Sequence, residues 1–160
     1  DELLDVAIAR GAIVVAAQPG PGSPADSFPS SHRDVLVARA SSQRTAPASP
    51  YSLPAPANEI LTTVPDRGYA FLSGTSFAAA QVSGIVALLM QQRPGLEVQQ
   101  AASLLRSTTV RSEGDESVNA CRALEKLMAR RFCSRSFTGT RGEDAGRALA
   151  QASARAETVR

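Results

Sequence analysis

The sequence predicts an α/β fold, a parallel sheet flanked by helices with one helix buried at its centre, and three observations lead there. Leu3, Leu4, Ala7 and Ile8 share one helical face, and Gly11 follows them, a residue suited to the left-handed stop of a helix. The run Ala12-Ile13-Val14-Val15-Ala16-Ala17 comes next; it is apolar without alternation, as in a strand covered on both faces. Further on, the stretch from Phe77 to Met90 is apolar almost all round, and such a helix belongs inside a large protein rather than on its surface. A helix feeding a doubly covered strand is the pattern of βα units and a mainly parallel sheet.

Taken in order, the elements are these. A helix is expected at about residues 3–10 and a strand at 12–17. Residues 18–31 are rich in Pro, Gly and Ser and read as loop. A second strand is expected at 34–40, and residues 41–57, rich in Ser, Pro and Ala, read as extended loop. Two short strands, 59–64 and 69–72, flank the turn Pro65-Asp66-Arg67-Gly68. The buried helix is expected from about 76 to 92, stopping before Pro94. The next spans about 96–107, with Val98, Ala101, Ala102 and Leu105 at i, i+3, i+4, i+7. A last helix, 117–132, aligns Cys121, Leu124, Met128 and Phe132. These elements make one domain, residues 1–133. From 134 to 160 large apolar residues are few, so a disordered tail is expected there. No internal repeat is visible.

Composition removes several classes of function. A formal charge of +2, with no aromatic residues alternating with the arginines, gives no case for nucleic acid as a partner. No stretch approaches the length needed for a membrane span. The opening Asp1-Glu2-Leu3-Leu4-Asp5 is no signal peptide; it reads as the middle of a helix, so Asp1 is expected to lie within a longer protein. Cys121 and Cys133 could close a bridge between the last helix and the segment after it, or stay as a small buried residue and a free thiol. No metal site and no cofactor are expected from the spacing of the His, Cys and acidic residues.

The chemistry concentrates in Gly74-Thr75-Ser76-Phe77-Ala78-Ala79-Ala80-Gln81-Val82-Ser83-Gly84. Ser76 sits at the first turn of the buried helix, where free backbone N–H groups and the positive end of the dipole converge. An oxyanion can be held at such a place. Taken alone, the same pattern is equally that of Thr75 and Ser76 capping a helix.

The eleven residues resemble the Gly-Thr-Ser-x-Ala-x-Pro-x-x-x-Gly signature of subtilisin-like serine proteases. Other segments match that family in order: Ile13-Val14-Val15-Ala16-Ala17; Ala55-Pro56-Ala57-Asn58-Glu59-Ile60; Ile85-Val86-Ala87-Leu88-Leu89 with Pro94, Leu96 and Leu104-Leu105; and Val118-Asn119-Ala120 with Ala123-Leu124. The resemblance covers roughly residues 3–128 and implies the C-terminal half of a subtilisin-like fold. It implies a serine-type endopeptidase that hydrolyses polypeptide substrates through an acyl-enzyme on Ser76. Thr75 and Gly74 would shape the oxyanion hole and substrate cleft, and Ala16 and Ala17 would line the primary specificity pocket. The Asp and His of the triad are expected upstream, in an N-terminal portion of the same peptidase domain, so this chain by itself is expected to be inactive. A secreted or periplasmic setting goes with the family.

The chain also departs from the family pattern. Its sole histidine, His32, lacks His-Gly-Thr surroundings and reads as a surface loop residue. Gly20 stands in register with the family's oxyanion Asn and offers no amide. Ala80 replaces the motif's Pro, Ala57 replaces a Gly, and Asp115-Glu116-Ser117 stands where a Gly precedes Val-Asn-Ala. These changes keep a second reading open, a non-catalytic pseudoprotease or truncated scaffold of the same fold.

Overall fold

The computed structural model describes residues 2–133, apart from 25, 44–48, 113 and 132. The expected tail, 134–160, lies outside the described residues, as does Phe132.

Helix α1, Glu2–Ala9, half-buries Leu4, Ala7 and Ile8 but leaves Leu3 exposed. Gly11 ends it with φ of 89°, donating its N–H to the Ile8 carbonyl at 2.8 Å. Strand β1, Val15–Ala17, pairs in parallel with β2, Leu36–Ala40, and β2 pairs in parallel with β3, Ser52–Ala55, giving a sheet of order β1-β2-β3.

Strand β3 corrects the expectation of loop across residues 41–57. Its Ser-Leu-Pro-Ala sequence has no β-branched residue, yet all four residues are buried. A proline is tolerated because β3 lies at an edge of the sheet. The Pro54 carbonyl accepts the Val118 N–H at 2.8 Å, so that edge is covered by later chain.

Strands β4, Ile60–Val64, and β5, Gly68–Leu72, form the expected antiparallel hairpin. Asp66 and Arg67 take left-handed conformations in its turn (φ 63° and 59°). Helix α2, Thr75–Gln92, buries Ala78, Val82, Val86 and Leu89. This stripe packs on the sheet and is contacted also by α4, Ala120–Met128. The sequence led us to expect cover on every side. Instead Ala80, Ser83, Gly84, Ala87 and Leu88 are exposed, because the three strands reach only one face of the helix.

Helix α3, Val98–Ser107, buries the four residues that its periodicity marked. A polar hairpin then follows, β6 Val110–Ser112 and β7 Asp115–Ser117. Sequence reading missed it, since neither strand carries an apolar alternation. Arg39 holds it to the sheet through Glu116 (3.0 Å), while the same guanidinium donates to the Gln43 carbonyl at 2.8 Å. Helix α4 is shorter than expected at both ends. Asn119 caps it by accepting the Arg122 N–H at 2.8 Å, and Ala129 ends it in a left-handed conformation (φ 50°). Cys121 and Cys133 are joined by a disulfide, with Cα atoms 6.1 Å apart. Of the two alternatives for the cysteines, the bridge is the one formed. Among the described residues no helix is long and apolar enough to cross a membrane.

Leu89 is fully buried where α2 meets the core. In the complete protein Leu89→Ala is expected to cost about 2–5 kcal/mol, read as a fall in unfolding free energy in a urea titration.

Candidate active site

Parallel strands bring their carboxyl ends to one side of a sheet, and open α/β sheets bind ligands outside those ends. The start of α2 is anchored there. The Thr75 hydroxyl donates to the Gln18 carbonyl at 2.8 Å, immediately after β1 ends. The Gly74 N–H donates to the Ala57 carbonyl at 2.8 Å, two residues after β3 ends. These two bonds fix Ser76 beside the ends of both strands.

Ser76 itself is exposed, in the first turn of α2. The first N–H groups of a helix have no partner within it and carry the positive end of the dipole, so anionic oxygen is favoured beside this serine. Gly74 keeps the approach open. A Cβ placed there would lie 3.3 Å from Ser76 Oγ and 4.0 Å from Phe77 Cδ2, tight against the hydroxyl. Thr75 is not a helix cap; its hydroxyl is spent on the tie to Gln18, and no side chain caps α2.

Ala16 is buried and Ala17 half-buried in β1, the strand whose exit Thr75 grips. The structure thus brings Gly74, Thr75, Ser76 and the end of β1 together. Beyond β1 a cavity of about 450 Å³ opens along Gln18, Pro19, Gly20, Ser30, Ser31 and His32. Gly20 is exposed on its rim, with nothing within 4 Å of the position a Cβ would take. A Cβ at this residue therefore meets no steric obstacle. Ala57 is buried without a positive φ, so it occupies the Gly position unstrained.

His32 is a correction to the sequence reading. It lies in a loop, but its side chain is only 14% exposed. Its Nε2 faces Asp5 Oδ1 at 3.0 Å and its Nδ1 accepts the Asp34 N–H at 3.2 Å. Both ring nitrogens are engaged by groups other than Ser76, and the bond to Asp5 holds α1 to this loop. No sequence signal pointed to Asp5 as its partner, because the two are 27 residues apart.

Sequence reasoning also missed Glu125. It lies one helical turn after Cys121, and its Oε1 accepts the Cys133 N–H at 3.0 Å. The i, i+4 spacing on α4 was the available signal.

The fold is that of an α/β protein, with an exposed serine at the start of a helix tied to the carboxyl ends of a parallel sheet. The comparisons with known proteins are specific. The model of the subtilase family matches residues 7–142, and the chain belongs to that family. It is 37% identical over 99 residues to the thermophilic serine proteinase of Bacillus sp. (strain AK1), a match covering 58% of this chain and 25% of that protein. It is 32% identical over 114 residues to alkaline elastase YaB of Bacillus sp. (strain YaB), covering 68% of this chain and 30% of that protein. The chain thus spans less than a third of the length of either relative. Among solved structures it resembles the self-cleaved protease domain of PatA, with TM-score 0.60 and 26% identity over 82% of this chain and 56% of that one.

The Thr75 tie is testable by itself. Thr75→Val keeps the shape and removes the donor, leaving the Gln18 carbonyl without it. The expected loss is about 0.5–1.5 kcal/mol, measured as a lower denaturation midpoint with unchanged helical circular dichroism.

Proposed function

We propose that Ser76 is the nucleophile of a serine-type endopeptidase that cleaves polypeptides through an acyl-enzyme. The observation that carries this reading is the placement of an exposed serine in the first turn of α2, tied to the ends of β1 and β3. Attack by Ser76 Oγ on a scissile carbonyl would develop negative charge beside the helix N-terminus, where the backbone N–H of Ser76 donates to it. Thr75 and Gly74 act through position: one fixes the turn, the other leaves space beside the hydroxyl. Ala16 and Ala17 would form the wall along which the substrate side chain enters. Water then releases the acyl group.

A serine hydroxyl needs a base to take its proton, and His32 is committed to Asp5 and the Asp34 N–H. The reading therefore assigns the Asp and His of the triad to an N-terminal portion of the same peptidase domain. The outer face of α2 supports that assignment. Small residues there, Ala80, Ser83, Gly84 and Ala87, suit close cover by further chain. The Cys121–Cys133 bridge fits an oxidising compartment, hence a secreted or periplasmic setting.

One observation favours the second reading, a non-catalytic protein of this fold. Gly20 presents no side-chain donor where the family has its oxyanion Asn, and loss of such a donor costs about 10²–10³ in kcat. Labelling of the complete protein with a fluorophosphonate separates the two. Modification that disappears in Ser76→Ala supports the peptidase, and a folded complete protein that never labels overturns it. If Ser76 is active, Gly20→Asn, whose Cβ meets nothing within 4 Å, is expected to raise kcat roughly tenfold or more with little change in KM.

A further inference from the structure

We propose that the Cys121–Cys133 pair, when reduced, joins Glu125 in a site for one thiophilic divalent cation of the zinc kind. The inference stands apart from the peptidase reading and uses different residues. It rests on how α4 ends. Cys121 and Glu125 are one turn apart on the helix, so both side chains project from the same face. Ala129 then takes a left-handed conformation and its N–H returns to the Glu125 carbonyl; the Arg130 N–H donates to that same carbonyl at 3.1 Å. This reversal carries Cys133 back to the helix, where its N–H donates to Glu125 Oε1 at 3.0 Å.

One ligand atom from each of Cys121, Glu125 and Cys133 consequently falls within 4.8 Å of the others. Tetrahedral zinc with sulfur at about 2.3 Å and carboxylate oxygen at about 2.0–2.2 Å holds its ligands roughly 3.5–3.8 Å apart. Reduction lets the two sulfurs move apart to that spacing, with the carboxylate already within 4.8 Å of both. Two thiolates and one carboxylate suit a borderline-soft cation and select against magnesium or calcium, which take oxygen donors. The fourth position is left to water. The Cys133 N–H bond orients the carboxylate without any metal, which lowers the cost of assembling the site.

Disulfide and metal exclude one another, so the redox state chooses between them. A dithiol reductant gives its two electrons and two protons to the bridge and itself becomes a disulfide. The two protein thiols then lose their protons as the cation binds. Either link pins Cys133 to α4.

The experiment uses the complete protein reduced with a phosphine, which is oxidised to its oxide with oxygen from water and leaves no competing thiol. Cobalt(II) is titrated first and then displaced by zinc. The expected result is one cobalt per chain with a thiolate-to-cobalt charge-transfer band, absent from the oxidised protein and from Cys121→Ser and Cys133→Ser. Glu125→Gln is expected to weaken binding about tenfold or more. A parallel measurement needs no variant: zinc should protect both thiols of the reduced protein from iodoacetamide, as read by mass spectrometry. Binding of cobalt to the oxidised protein, one metal shared by two chains, affinity unaffected by Glu125→Gln, or alkylation at the metal-free rate would each overturn the proposal.

Discussion

The seat of α2 on the three-stranded sheet is the constraint on which the other features depend. Ala78, Val82, Val86 and Leu89 supply the buried stripe, and the surface they join is rich in alanine: Ala38, Ala55 and Ala57 are buried in the same core, beside Leu36 and Leu53. Alanine at these places lets the helix lie close to the strands. A larger side chain at Ala38 or Ala55 would press on the helix and strain both anchoring bonds, Thr75 to Gln18 and Gly74 to Ala57. Close packing thus has a chemical consequence, since it sets how far Ser76 stands from the strand ends where a ligand would lie. Gly74 belongs to the same constraint, because a methyl group there would sit 3.3 Å from the Ser76 hydroxyl and push it aside by a few tenths of an ångström.

Around that seat the later chain acts as a brace. The Val118 N–H covers the Pro54 carbonyl at the sheet edge, and Arg39 reaches from β2 to Glu116 in β7. The Arg39 side chain is only 11% exposed. A guanidinium so covered needs partners for its charge, and Glu116 with the Gln43 carbonyl provides them. Polar bonding therefore closes an edge that the short apolar strands leave open. Helix α4 is brought against α2 and α3, with its start fixed by Asn119 and its end by Ala129 and the disulfide.

A long apolar run made α2 legible in the sequence, and periodicity made α3 so. In α3 the four residues spaced as a helical stripe are the four that are buried. The hairpin of β4 and β5 was legible through its turn residues. Strand β3 was not, because burial in a sheet edge can be met by Ser, Leu, Pro and Ala without the β-branched residues that normally mark a strand. The β6–β7 hairpin escaped for the opposite reason, being polar and held by an ion pair with a residue over 70 positions away. At the site, the motif pointed to Ser76, Thr75 and Gly74 together. It could not reveal that Thr75 bonds the backbone at the end of β1, since nothing local encodes a contact 57 residues away.

The histidine illustrates how a side chain's partners, more than its presence, decide its use. With Asp5 at Nε2 and the Asp34 N–H at Nδ1, the neutral ring has its donor and its acceptor both satisfied. To act as a base towards Ser76 it would have to surrender the Asp34 bond or the Asp5 bond, and with the latter the tie between α1 and the loop before β2. His32 itself lines the cavity beyond Gln18, so the two bonds that occupy its ring also hold one wall of that cavity in place. Any proton acceptor for Ser76 must then approach from the side on which Ser76 is exposed, over the start of α2. The bare outer face of that helix, with small residues at 80, 83, 84 and 87, is continuous with this approach along the helix surface. On the proposed reading of Ser76 as a nucleophile, a single body of chain packed there would both cover the apolar helix and bring a base to the serine, so that burial of α2 and activation of Ser76 become one requirement.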